Sequence, residues 1–255
     1  MDHLVIFDTQ IKPGSNTKHL GAIGNYIVTH QPDKIIMIGD HWDMHSLSSY
    51  DKGTLKGEAT RYQDDIKAGI SALRLLFKPL RQLQDRQKAM KKKVYKPIRH
   101  FCLGNHEERI VRYVNYNPTL KGKVGYDDLK LERFGFTVHD YLTPVILDGI
   151  EYVHYVQGRN SPRAKASSKV SMEQTKMSVT QGHRPCLDIH TDWSDEKGMM
   201  WSITCGSSYL DDEDYKGAQG NQHWRGILHK RNVQGGDYDP TFLRLSTLME
   251  EYSDV

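Results

Sequence analysis

Cysteine is scarce: Cys102, Cys186 and Cys205 are the only three in 255 residues. They are odd in number and far apart, which excludes a disulfide framework and a paired-cysteine metal knuckle. That usage fits a reducing cytoplasm, where the chain is expected to act. No apolar run approaches the roughly 18 residues of a membrane-spanning helix, and the opening MDHLVIFDTQ has neither a basic leader nor a long apolar stretch. Neither a membrane span nor a signal peptide is therefore expected. Charge of one sign is also missing: 35 Lys and Arg against 32 Asp and Glu leave a net +3, too near balance to argue for nucleic acid by itself. Internal repeats and long linkers are absent too, so one domain over residues 1–255 is the expectation. Histidine is what the chain has in number, 13 residues, several beside Asp or Asn, and that points toward metal chemistry.

The apolar pattern reads as alternating strands and helices. Leu4-Val5-Ile6-Phe7 is a buried strand ending at Asp8. Ser15-Asn16-Thr17 can cap a helix carrying Leu20, Ile23, Tyr26 and Ile27 on one face, and Gln31-Pro32 ends it before a second buried run at 34–38. A parallel strand pair needs such a crossover. The loops at the carboxyl ends of its strands, here Asp8-Thr9-Gln10 and Gly39-Asp40-His41, are where αβ sheets place ligands. Ile66, Ile70, Leu73, Phe77 and Leu80 mark a helix face that Pro79 must kink or split. The basic stretch 86–99 reads as a solvated helix end. A third strand, 100–103, runs into Gly104-Asn105-His106-Glu107. Strands are expected at 136–139, 144–147 and 150–156, the last two about an Asp148-Gly149 hairpin turn, and again at 178–181, 199–205, 226–229 and 241–245. Residues 157–169, rich in Gly, Ser, Pro and base, are expected to form a mobile loop. Its Arg159, Arg163, Lys165 and Lys169 read first as solvated surface and second as substrate contacts, since the loop directly follows His154.

The polar groups closing these strands are Asp8, Asp40 with Asp43, Asn105 with His106, then His154 and His183. All are oxygen or imidazole donors, a set that suits Mn, Fe or Zn and disfavours a soft thiolate site. If the loops converge, Asp40 can bridge two ions roughly 3.5–4 Å apart, which would hold phosphate oxygens and supply a hydroxide for in-line attack on phosphorus. Other residues carry plainer readings. Cys102 is a small buried hydrophobe, Trp193, Trp201 and Trp224 belong in the core, and 209–214 is a solvated acidic loop. His41, His45 and Trp42 either line a pocket or pack within their own loop.

In their order, Asp8-Thr9-Gln10, Gly39-Asp40-His41-Trp42-Asp43, Gly104-Asn105-His106-Glu107, His154 and Gly182-His183-Arg184-Pro185 resemble the motifs of the calcineurin-like metallophosphoesterase superfamily: D-x-H, G-D-x-x-D, G-N-H-[DE], H and G-H-x-H. The resemblance spans roughly residues 4 to 206 and then fades. It implies an α/β fold with two facing mixed β-sheets flanked by helices, and metal-dependent phosphoester hydrolysis at the strand ends. It also implies two metal positions. The first would take Asp8, the position-10 side chain, Asp40 and the position-185 side chain; the second would take Asp40, Asn105, His154 and His183. By the same resemblance His106 stands beside the leaving-group oxygen with its pKa held by Asp8 or Asp43, while Asp43 and Glu107 orient the loops, and His41, Arg159 and Arg163 are candidate substrate contacts.

Gln10 and Pro185 stand where the family has histidines. Both departures fall on the first ion, which favours Mn over Fe or Zn there unless His190 or His223 fills the gap. Strings such as Gly39-Asp40-His41-Trp42-Asp43 and His223-Trp224-Arg225-Gly226 are similar to those of bacteriophage-encoded predicted phosphoesterases, which implies a host cytoplasm. Two alternatives stay open. One is a phosphodiesterase or nuclease, for which Lys91-Lys92-Lys93 and the basic loop would follow a nucleic-acid backbone. The other is a catalytically weak phosphate-binding module left by the lost donors.

Overall fold

The structure is a computed structural model that describes residues 1–49, 60–213 and 217–253. In chain order its elements are β1 (His3–Ile6), α1 (Lys18–His30), β2 (Lys34–Met37), α2 (Tyr62–Leu76), α3 (Lys78–Ala89), β3 (Ile98–Cys102), α4 (Glu108–Tyr116), β4 (Phe136–His139), β5 (Val145–Leu147), β6 (Ile150–Val153), β7 (Gln157–Gly158), β8 (Ser161–Ala164), α5 (Ser168–Thr175), β9 (Ser178–Gln181), β10 (Leu187–Ser194), β11 (Gly198–Cys205), α6 (Gly217–Gly220), β12 (Gly226–Gln234), β13 (Asp237–Arg244) and α7 (Leu245–Tyr252), with short 3-10 turns between some of them.

Continuous apolar runs make these strands because both faces are covered. Along the first run Leu4 and Ile6 join the residues of α1, α2, α3 and α7, whereas Val5 and Phe7 face a second sheet. Ile35 and Met37 against Ile36 and Ile38 repeat the split. The outcome is a six-stranded sheet in the order β13-β12-β1-β2-β3-β4 and a five-stranded sheet in the order β10-β11-β9-β6-β5. Both are mixed. In the first, β1 to β4 are parallel and β12 and β13 antiparallel; in the second, β11, β9 and β6 are parallel between antiparallel edges. Val5 lies opposite Ile36 on one side and Leu228 on the other, so its neighbours extend the layer shared by the two sheets. Helices lie against the outer face of the larger sheet and α5 against β9, β10 and β11.

The break expected at Pro79 is borne out, and several other expectations need correction. Pro79 splits its helix outright: α2 ends at Leu76 and α3 begins at Lys78, since a proline in a first turn costs no hydrogen bond. The expected mobile loop at 157–169 is the β7–β8 hairpin followed by the start of α5. Its order comes from the Ser167 hydroxyl, which accepts the Val170 amide as a helix cap (3.3 Å). Trp193 is no core residue, being 66% exposed on β10, whereas Trp201 and Trp224 pack against the layer between the sheets. Where the family resemblance fades, β12 and β13 continue the larger sheet, β12 lying directly beside β1. In the acidic loop Tyr209 is buried rather than solvated, and Asp214 lies outside the described residues.

Candidate metal centre

Five chain segments meet at the carboxyl ends of β1, β2, β3, β6 and β9. The first two are laced by backbone bonds from Gln10 N–H to Asp40 O (2.9 Å), Ile11 N–H to His41 O (2.7 Å) and Asp43 N–H to Ile11 O (2.9 Å). The loops after β2 and β3 are fastened by the buried Glu107 carboxylate, which accepts the amides of Asp40 (2.9 Å), Trp42 (3.0 Å) and Gly104 (2.8 Å). The loops after β6 and β9 meet where Gly182 N–H donates to His154 O (2.8 Å). Gln10, Asp40 and His183 all hold left-handed backbone, with φ of 44°, 48° and 66°. Side-chain-bearing residues seldom adopt that region, and strain of this kind gathers at functional sites. Two glycines admit the carboxylates: a Cβ on Gly104 would stand 2.1 Å from Asp40 Oδ1, and one on Gly182 2.5 Å from Asp8 Oδ1.

His154 Nδ1 donates to Ile38 O (2.7 Å), so in the neutral ring its Nε2 carries a lone pair. That lone pair faces Asn105 Oδ1 (2.9 Å) and Asp40 Oδ2 (3.2 Å). Ligand atoms of Asp40, His154 and His183 all lie within 4.8 Å of one another. A meeting of acceptors is tolerable only with a positive charge among them. Without a cation it is supplied by a proton on His154: burial opposes the charge, but the Asp40 carboxylate outweighs it and raises the pKa to about 9. Asp8 adds a second sign of the same need. Its Oδ1 accepts the His183 amide (3.2 Å), while Oδ2 is buried with no hydrogen-bond partner. Burial pushes this carboxyl up to about 8; His154 opposes the shift and the Asp40 charge adds to it. His183 is pushed down to about 4, by burial first and His154 second, and so presents a neutral imidazole. Oxygen and imidazole donors in this geometry fit a divalent cation.

Beside the cluster His106 is held at three points. Its amide donates to Asp40 Oδ1 (2.8 Å), its Nδ1 lies 2.8 Å from Asp43 O and 3.0 Å from Asp43 Oδ1, and its Nε2 lies 3.8 Å from Asp40 Oδ2. Burial lowers its pKa, yet the Asp40 and Asp43 carboxylates outweigh that and raise it overall. Asp43 is held well below the usual carboxylate range: burial opposes, but His106, then Lys12 and Arg109, prevail. Of the two carboxylates proposed from sequence to face His106, Asp43 is the one in contact.

Sequence reasoning missed Arg109 and Lys12. Arg109 reaches Asp43 O (2.7 Å) and His106 Nε2 (3.2 Å), and Lys12 Nζ lies 3.2 Å from Asp43 Oδ2. The available signal was spacing, since Arg109 falls three residues after His106 at the start of a helix. His41 is fully buried, bonded to Thr9 Oγ1 (2.6 Å) and Gly69 O (3.0 Å), which rules out the substrate contact expected of it. Trp42 is buried beside it against α2. Arg159 and Arg163 are exposed on the β7–β8 hairpin. His190 lies on β10 opposite Ser202, and His223 Nδ1 lies 3.3 Å from Gly220 O; neither belongs to the group of Asp40, His154 and His183, which is the metal-capable cluster among the described residues. No helix among them is long and apolar enough to cross a membrane.

No family model matches the chain. The Gene 54 protein of Mycobacterium phage L5 is 35% identical over 214 residues, covering 80% of this chain and 78% of that protein. The Gene 54 protein of Mycobacterium phage D29 is 28% identical over 256 residues, covering 93% and 91%. Among solved structures, wild-type Vps29 from Entamoeba histolytica complexed with Zn2+ aligns at a TM-score of 0.40 and 10% identity, covering 96% of this chain and 99% of that one. A single mutant of the same protein aligns at 0.42 and 11%, covering 96% and 100%.

Proposed function

This chain belongs to the family of the Gene 54 proteins of Mycobacterium phages L5 and D29, and we propose that it hydrolyses a phosphoester at a divalent-cation site. The observation that carries the reading is the convergence of Asp40, Asn105, His154 and His183 on one point, beside an Asp8 oxygen that is buried without a partner. These four side chains would hold one cation well. A second would have the carboxylates of Asp8 and Asp40, but with Gln10 and Pro185 at the remaining positions it lacks imidazole, which favours Mn over Zn. Bound cations supply Lewis acidity toward a phosphoryl oxygen and lower the pKa of water.

The remaining contributions are the chain's own. The Ile38 carbonyl fixes the His154 tautomer so that Nε2 faces the cluster. Glu107 keeps Asp40 and Gly104 in register. His106 donates Nδ1–H to the Asp43 carbonyl, which fixes the ring with Nε2 toward Asp40, and as imidazolium it would donate from Nε2 to the leaving-group oxygen once the Arg109 guanidinium, which lies 3.2 Å from that nitrogen, turns to the phosphoryl group. Arg109 adds fixed positive charge beside it for the developing negative charge on the phosphoryl group. A phage relative and three reduced cysteines support action in the host cytoplasm.

A second reading, a nucleic-acid phosphodiester as substrate, rests on the exposed Arg159 and Arg163 of the hairpin that begins three residues after His154. The test of the first reading is turnover of bis(p-nitrophenyl) phosphate by protein stripped of metal and reloaded with Mn2+. Turnover restored by Mn2+ and abolished in Asp40→Asn supports it. Turnover absent under every divalent cation, with the protein folded, overturns it.

A further inference from the structure

We propose that β10 is the self-complementary edge of a homodimer, in which two copies of the chain pair β10 against β10 antiparallel and join their five-stranded sheets. β10 is the terminal strand of its sheet, bonded to β11 alone among the described strands. A long edge strand left open is ordinarily blunted by short length, proline or lysine. This one is eight residues long, LDIHTDWS, without proline or lysine; its charges are Asp188 and Asp192, and Ser168 of α5 covers its start.

Its two faces differ. Ile189, Thr191 and Trp193 lie opposite Ile203, Trp201 and Met199 of β11, on the side that turns toward the other sheet. There Ile189 and Trp193 overhang, 42% and 66% exposed, at a cost in apolar surface left in water. Asp188, His190 and Asp192 take the opposite face. At the start of the strand Asp188 is already engaged, its carboxylate accepting the Ser168 amide (2.7 Å) and its carbonyl the Ser168 hydroxyl (2.7 Å). The amide of Trp193 donates to the neighbouring Asp192 side chain (2.8 Å) rather than to a strand.

A two-fold axis through Thr191 pairs positions 189 to 193 at once. Thr191 then faces its own copy, Ile189 faces Trp193 of the second copy, and Trp193 faces Ile189, giving two apolar pairs where each copy alone exposes two large side chains. On the opposite face His190 meets Asp192 and Asp192 meets His190, two complementary pairs, and Asp188 meets Ser194. A slip by one residue would set apolar side chains against the polar face. Moving the axis to His190 puts Asp188 against Asp192 twice, and moving it to Asp192 puts that carboxylate against itself. The sequence thus selects one register, and the occupant it selects is a second copy of this chain.

The test is sedimentation equilibrium of the full chain across a concentration series, with Trp193→Glu, His190→Asp, Asp192→Lys and the double variant His190→Asp with Asp192→Lys. The expected result is a dimer in the unmodified chain, dimerisation at least tenfold weaker in each single variant, and recovery to within about threefold in the double variant, where Asp and Lys face each other again. Thermal melting of each variant at concentrations below the dimer range, where association adds no stability, separates weakened pairing from failed folding. A chain that stays monomeric at several hundred micromolar, a dimer indifferent to all the single variants, or a double variant no better than its components overturns the proposal.

Discussion

His106 turns its ring onto Asp43, with Nδ1 2.8 Å from the Asp43 carbonyl and 3.0 Å from its carboxylate. A carbonyl can only accept, so Nδ1 carries a proton, and the Asp40 and Asp43 carboxylates raise the ring's pKa, which favours uptake of a second proton at Nε2, the atom that looks toward Asp40 and lies 3.2 Å from the Arg109 guanidinium. His106→Ala should therefore keep the bound cation and lose roughly 10²–10⁴ of the rate. Asp43→Asn should lose less and, by lowering the His106 pKa, move the basic limb of the pH-rate profile, where the protonated form is lost, to lower pH. Steady-state kinetics with metal analysis of the same samples checks both, and a His106 variant that loses its metal would make that residue a ligand.

Gly104 leaves the space that Asp40 fills. With a Cβ 2.1 Å from Asp40 Oδ1 and 2.4 Å from the Asp40 amide, Gly104→Ala must displace the backbone of a donor loop. The expected cost is about 1–3 kcal/mol of stability, together with weaker cation binding. Denaturant unfolding with and without Mn2+ measures both, and an unperturbed variant would show that the loops are looser than their bonding indicates.

The basic hairpin separates the two substrate readings. If Arg163 and Lys165 contact a polyanion, changing both to Gln should weaken binding of single-stranded DNA and flatten the slope of log affinity against log salt by about 0.7 for each charge removed. Turnover of a small chromogenic ester should persist. A salt slope identical to that of the unmodified chain would leave the nucleic-acid reading without its supporting surface.

Acid should weaken the fold well before the carboxylates of an ordinary surface titrate. Burial lowers His3, His19, His100 and His229 to about 4, against an ordinary value of about 6.5. Between those values the unfolded chain binds more protons than the folded one, so stability falls as pH falls, by about 1.4 kcal/mol per pH unit for each histidine fully in play. The raised groups of the cation-free site, Asp8, His154 and His106, oppose this, but the lowered histidines outnumber them. Urea midpoints at pH 7 and pH 5 should differ clearly, and equal midpoints would contradict the assignment of neutral buried rings.

The sequence was most legible where strands end in polar residues. Apolar runs closing on Asp8, Asp40 and Asn105 located the loops that meet in space, because a buried strand fixes where its last polar side chain emerges. Contacts between distant segments were not legible. That His106 would choose Asp43 over Asp8, that Glu107 would gather three amides, and that His41 would be buried beneath α2 all depend on how separate loops stack. The strand β10 had its signal in the alternation of Leu187, Ile189, Thr191 and Trp193 with Asp188, His190 and Asp192. Its place at a sheet edge, which leaves Trp193 in water, came only with the topology.

The cation site itself is tested most directly by calorimetric titration of Mn2+ into metal-free protein, run in parallel on His183→Ala, Asn105→Ala and His106→Ala. The account predicts one well-held cation in the unmodified chain, loss of that binding event in the His183 and Asn105 variants, and its survival in the His106 variant. No heat of binding in the unmodified chain, or an isotherm that His183→Ala and Asn105→Ala leave unchanged, would contradict it.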